Sequence, residues 1–206
     1  MTRTLLRGFD LVATMDDERR EIEAGYVLVE GNRIIALGED SKGIAHDAVI
    51  EGEGKVLLPG FVNTHHHLYQ TLFRNVPGAA DKKLFDWLVF LYERWKGIDE
   101  EAVRTSAAIG CSELLLSGAT TTSDHFYLFP RGLPRIFDAE VEGGLLSGIR
   151  FHPTRGSMSL SKKDGGLPPD SVVQTEEEIL ADCQRVIERY HDPSPFAMLR
   201  VALAPC

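Results

Sequence analysis

The pattern of hydrophobic and polar positions divides the chain near residue 58. Before it, apolar and β-branched runs dominate, TLLRGFDLVAT (4–14) and GYVLVEGNRIIALGE (25–39). The second run is broken at Glu30-Gly31-Asn32, a good tight-turn sequence. Residues 1–58 therefore predict a small antiparallel sheet, the N-terminal part of a β-sandwich domain. From residue 56 onward, short apolar strands alternate with longer stretches of helical spacing. Val56–His67 reads as a strand, and Asp81–Trp95 as a helix. Asp99 caps a second helix that runs to Leu116 and stops at Gly118. The threonine-rich ATTTSDHF (119–126) predicts the next strand. Leu133–Ser147 predicts a helix, against the low propensity of Gly143 and Gly144. GIRFHPT (148–154) is a third strand, followed by the polar loop RGSMSLSKKDGGLPPDS. Thr175 and Glu178 have the spacing of a capping box that opens a helix to about His191. LRVALA (199–204) reads as a fourth strand.

Strand and helix alternating at this spacing define βα units on a parallel sheet. Residues 59–206 are expected to form the first four such units of a (β/α)8 barrel, an α/β fold preceded by the small β-sandwich segment. A fourth parallel strand at the end of the chain leaves an apolar edge to be covered. Either a longer polypeptide continues from it, or a partner chain pairs with it.

Composition narrows the function classes. The 206 residues suit one large domain or two small ones, and 43% hydrophobic with 26% charged residues is an ordinary globular balance. A formal net charge of −9 argues against nucleic-acid or anionic-membrane partners, which need a basic surface. No apolar run approaches the roughly 18 residues of a membrane span, and no signal-peptide pattern opens the chain. Three widely spaced cysteines without a CxxC fit a reducing cytoplasm better than a disulfide framework.

Candidate chemistry lies in three adjacent histidines, His65, His66 and His67, which follow an apolar run and a Pro-Gly break. Side chains alternate along a strand, so His65 and His67 share one face and His66 takes the other. Two imidazoles at the carboxyl end of a barrel strand can reach one divalent ion. Zinc is the first choice and ferrous iron the second, with nitrogen ligands at about 2.0–2.2 Å. The bland alternative is a solvated surface turn, which the preceding apolar strand opposes. A catalytic metal usually takes three protein ligands, and no carboxylate in the chain has the context of a third. His46 and His191 read as structural, and His152 as a buried mid-strand residue. His125, next to Asp124 at the end of its strand, either lines the pocket or supports the metal ligands from behind.

The stretch LLPGFVNTHHHLYQTLFR resembles the opening strand of the amidohydrolase superfamily, whose signature is Gly-Phe-x-Asp-x-His-x-His. Asn63 stands where that signature has Asp, as in the deaminase and triazine-hydrolase branch, which weakens any two-metal reading. The resemblance extends through ELLLSGATTTSDHFYLFP (113–130) and GIRFHPTRGSMSLSKKDGGLPPDSVVQ (148–174) to RVALAPC (200–206). It is strongest toward 8-oxoguanine deaminases and s-triazine (hydroxyatrazine) hydrolases. It implies one zinc or iron per subunit, held in this chain by His65 and His67, with Asp124 and His125 behind them. The family's later histidines, Glu and Asp would fall beyond residue 206. No catalytic residue is then expected within this chain, which would be the N-terminal part of a longer protein and inactive alone.

For substrate contacts the resemblance points to Gln70, Cys206, Arg155, Trp87 and Tyr69. Three of them have a plainer alternative: core packing for Trp87, a loop salt bridge for Arg155, inert filler for Cys206. The implied reaction is hydrolytic deamination of a purine-like heterocycle, 8-oxoguanine first, with an s-triazine hydrolase or guanine deaminase as alternatives. The implied partners are the small heterocycle, the C-terminal half of the same protein and a further copy in a homo-oligomer. The His/Cys/Cys zinc deaminases are excluded, since neither HxE nor PCxxC occurs. A different class also stands: a short, non-catalytic half-barrel that binds a ligand or partner.

Overall fold

The structure, a computed structural model, describes residues 1–205. The chain divides into two units, Met1–Gly60 and Phe61 onward. The first unit holds β1 (Arg3–Arg7), β2 (Leu11–Ala13), β3 (Glu21–Glu23), β4 (Tyr26–Glu30), β5 (Arg33–Gly38), β6 (Ala48–Glu51) and β7 (Val56–Leu57). They form two sheets, ordered β5-β4-β1-β6 and β3-β2-β7. The tight turn falls where expected, between β4 and β5, with Gly31 at φ +59°. The sheets are mixed rather than antiparallel, because β1 pairs with β6 and β2 with β7 in parallel. Hairpins force antiparallel pairing only between strands joined by short turns. The long connection from β5 to β6 frees β6 to arrive in the same direction as β1.

In the second unit, β8 (Phe61–Asn63), β9 (Ala119–Phe126), β10 (Arg150–Ser157) and β11 (Ala202–Pro205) lie side by side in chain order. All three pairings are parallel, the arrangement of half a (β/α)8 barrel. The connections carry α1 (Leu84–Trp95) and α2 (Glu100–Leu116), then α3 (Ile136–Leu146), then α4 (Glu176–Tyr190). The helix signals operate as read. Asp99 accepts the Ala102 N–H at 2.8 Å, and Gly118 leaves α2 at φ +90°. Thr175 and Glu178 form the capping box, each side chain accepting the other's N–H at 3.2 and 2.8 Å. No helix among the described residues is long and apolar enough to cross a membrane.

Two further expectations need correction. Val56–His67 is not one strand: Pro59-Gly60 ends the pairing of β7, and β8 is only three residues long. The histidines therefore follow the strand instead of lying within it. His152 is exposed, not buried, because alternation along β10 turns it to the face opposite the fully buried Phe151. Gly143 and Gly144, unfavourable for a helix, are there for close approach. A Cβ on Gly143 would lie 2.2 Å from the Arg104 carbonyl oxygen of α2, and one on Gly144 2.5 Å from the Phe151 ring.

Candidate active site

The end of β8 is fixed by Asn63, whose amide donates to Thr122 Oγ1 on β9 at 3.0 Å. Beyond His67 the chain tightens into a 3-10 segment, Leu68–Phe73, anchored by the buried Leu68 and Tyr69. Three bonds from the end of β9 hold the histidine segment. The His125 N–H donates to the His66 carbonyl at 2.9 Å. His67 Nδ1 lies 2.8 Å from the His125 carbonyl oxygen, and Asp124 Oδ1 accepts the Leu68 N–H at 2.7 Å.

This geometry separates the three imidazoles. The His65 and His67 rings stand edge-on with centroids 5.3 Å apart. His66 lies toward β9 and α2, its Nδ1 4.0 Å from Asp124 Oδ1 and its ring near Gly110, though it still forms part of the same cleft wall. A carbonyl oxygen only accepts, so His67 Nδ1 must carry the proton and Nε2 keeps its lone pair. Burial lowers the pKa of His67 and favours the neutral ring. A neutral imidazole with its second nitrogen donating to a carbonyl is the arrangement of metal-binding histidines. The chemistry of His67 therefore suits a divalent ion, and the His65 ring stands beside it. Among the described residues, no three His, Cys, Asp or Glu side chains come together as a complete ligand set. His125 is tied into the scaffold, with Nε2 3.2 Å from the Ala204 carbonyl oxygen of β11 and its own carbonyl engaged by His67.

A cleft of about 750 Å³ opens beside the histidines, lined by His65, His66, His67, Gln70 and Trp87, with Leu91 and Trp95 also in its wall. Gln70 is half-buried there and donates from Nε2 to the Tyr69 hydroxyl at 3.3 Å. Trp87 packs edge-on against Trp95 at 5.4 Å, as its core-packing alternative has it, and also forms part of the cleft wall. A larger hollow of about 1150 Å³, between the turn after β9 and the start of α4, holds none of the histidines.

Tyr69 and Arg155 sit elsewhere than a substrate contact would. Tyr69 is 1% exposed, with Trp95, Phe126 and Tyr127 edge-on around it, so no ring face is free to stack on a heterocycle. The 3-10 turn, absent from the strand expectation, rolls it inward. Burial raises its phenol pKa well above the ordinary value. Arg155 has the surroundings of the salt-bridge alternative. It belongs to β10, which runs on to Ser157, and its enclosed guanidinium donates to Asp182 at 3.0 Å, the Gly156 carbonyl at 2.7 Å and Gln174 at 2.6 Å. The ring of Phe129 lies 3.9 Å away. Cys206 lies outside the described residues.

Sequence reasoning missed Glu140 of α3, which is fully buried behind Asp124. The signal was present: Glu140 lies between Phe137 and Gly144 at helical spacing on the inward face, where a carboxylate needs a partner.

The amidohydrolase family profile matches residues 56–205, and the chain belongs to that family. It is 45% identical over 187 residues to the 8-oxoguanine deaminase of Pseudomonas aeruginosa, covering 89% of this chain and 41% of that protein. It is 35% identical over 217 residues to the hydroxydechloroatrazine ethylaminohydrolase of Pseudomonas sp. strain ADP, covering 100% of this chain and 45% of that one. Among solved structures, atrazine chlorohydrolase from Arthrobacter aurescens TC1 complexed with zinc superposes with a TM-score of 0.92 at 35% identity, over 98% of this chain and 46% of that chain. Guanine deaminase of E. coli shares the fold, with a TM-score of 0.71 at 24% identity, over 100% of this chain and 46% of that chain. The chain thus spans less than half the length of the relatives it matches.

Proposed function

We propose that this chain carries the front half of the active site of a metal-dependent aminohydrolase. The reaction is hydrolytic release of ammonia from a purine-like heterocycle, 8-oxoguanine first. The observation that carries this reading is the convergence of His65, His67, Gln70 and Trp87 on one cleft beyond the end of β8. The 45% identity to an 8-oxoguanine deaminase supports the substrate.

His65 and His67 would hold the ion, zinc in preference to iron. When bound, such an ion supplies Lewis acidity that makes water a nucleophile near neutral pH. The rest follows from the chain itself. His67, neutral and fixed in its tautomer by the His125 carbonyl, presents Nε2 without paying for deprotonation. The Gln70 carboxamide can donate and accept at once, matching a ring N–H beside a ring carbonyl. Trp87 gives the flat heterocycle an apolar wall. We assign proton transfer to groups of the C-terminal half of the protein, which would complete the barrel.

An s-triazine substrate is the second reading, favoured by the backbone likeness to zinc-bound atrazine chlorohydrolase. One assay separates them. The polypeptide as its organism makes it, loaded with zinc, is offered 8-oxoguanine, guanine and hydroxyatrazine, and ammonia and alkylamine release are measured. Ammonia released fastest from 8-oxoguanine supports the first reading, and alkylamine from the triazine alone supports the second. No turnover of any of them would leave the non-catalytic binding module.

A further inference from the structure

Directly behind the histidine segment, two acidic side chains meet without a cation. Asp124, near the end of β9, is 1% exposed, and Glu140, in the middle of α3, is fully buried. The two carboxyl groups are close neighbours, each bearing on the other's ionisation as a hydrogen-bonding partner would. Asp124 also receives the Leu68 N–H on Oδ1, whereas Asp124 Oδ2 and both Glu140 oxygens are buried with no N–H or hydroxyl donor beside them among the described residues. The neighbouring groups bring no compensating charge. Burial pushes the Cys111 thiol up to about 12, and burial lowers the pKa of His66, whose Nδ1 lies 4.0 Å from Asp124 Oδ1.

A hydrogen bond between two carboxyl groups requires a proton on one of them. The surroundings decide which. Asp124 has a backbone N–H to stabilise its charge, and Glu140 has none, so Glu140 keeps the proton. Burial raises both groups, Asp124 to about 6 and Glu140 well above the ordinary carboxyl range.

We propose that Glu140 is a positioning residue: as a neutral acid it donates to Asp124, and Asp124 so held fixes the Leu68 amide and the turn that aims His67. The chain of contacts runs from α3 through β9 to the residue after His67. The link to metal binding rests on the aminohydrolase reading, but the shared proton does not.

The experiment compares the natural polypeptide with E140Q and E140L. A glutamine amide can donate the same bond; leucine keeps the bulk and removes the donor. Difference infrared spectroscopy should show the carbonyl stretch of a protonated carboxyl in the parent at neutral pH, lost in E140Q. Zinc affinity, read by competition with a chromophoric chelator, should stay within about threefold of the parent in E140Q. In E140L it should fall by about 10–100-fold, as for other groups that support metal ligands. A parent without the protonated-carboxyl band, an E140Q that loses affinity tenfold, or an E140L that binds as the parent does would each overturn the proposal. If E140L does not fold, the band and E140Q decide alone. A parent that shows the band but takes up no zinc would sink the functional reading and leave the carboxyl pair standing.

Discussion

Replacing Arg155 by Met should damage stability and not substrate recognition. In the folded protein its guanidinium serves three acceptors, at 3.0, 2.7 and 2.6 Å, with its side chain fully enclosed. Methionine keeps much of the bulk against Phe129 but leaves the Gln174 and Gly156 oxygens unserved. Asp182, 17% exposed, loses one of its two arginines and keeps Arg185 at 2.8 Å. Breaking a buried ion pair costs about 3–5 kcal/mol, and the surviving Arg185 contact puts this case near 3. That is a roughly 100-fold rise in the unfolded fraction. In urea, with a slope of about 2–3 kcal/mol per molar, the midpoint should fall by about 1 M. The fluorescence of Trp87 and Trp95 reports the transition. R155K should recover only part of the loss, since one ammonium cannot reproduce a three-way planar fork. An unchanged midpoint with a raised KM would refute the reasoning and return Arg155 to the substrate site.

Three further outcomes follow from local geometry. Thr175→Ala removes the acceptor of the Glu178 N–H and should cost about 1 kcal/mol, visible as a lower Tm; an unshifted Tm would contradict the capping box. Gly143→Ala puts a Cβ 2.2 Å from the Arg104 carbonyl oxygen and should cost about 1–3 kcal/mol in urea unfolding, by prising α3 from α2. Glu140 bears on pH. Its pKa is raised on folding, so the stability it contributes is fully present below the unfolded value and lost as pH rises toward the folded one. Above the unfolded value, near 4.5, stability should fall by up to about 1.4 kcal/mol per pH unit from this group. E140Q should flatten that slope in denaturant titrations; equal slopes in both proteins would show Glu140 ionised.

Much of the barrel half was legible because its signals are local. Asp99, Gly118 and the Thr175–Glu178 pair mark helix ends by backbone chemistry that operates within a few residues, and threonines 120–122 mark β9 the same way. What escaped depends on contacts distant in sequence. Nothing near Arg155 announces Asp182, 27 residues on. The inward roll of Tyr69 depends on Trp95 and Phe126 as much as on its own neighbours. Gly143 counted against a helix that it in fact allows to pack. The separation of His65 and His67 from His66 was expected from strand alternation, but the histidines lie beyond β8, where the 3-10 turn and the bonds from β9 orient them. The hydrogen bond from His67 to the His125 carbonyl, which leaves Nε2 free, was not legible.

We assign the metal-binding part of the cleft to His65 and His67, and not to His66. Zinc titration of the natural polypeptide beside its H66N and H67N variants tests it most directly. Zinc affinity and content should stay near the parent's in H66N and drop sharply in H67N. Loss of zinc in H66N with retention in H67N would contradict the assignment.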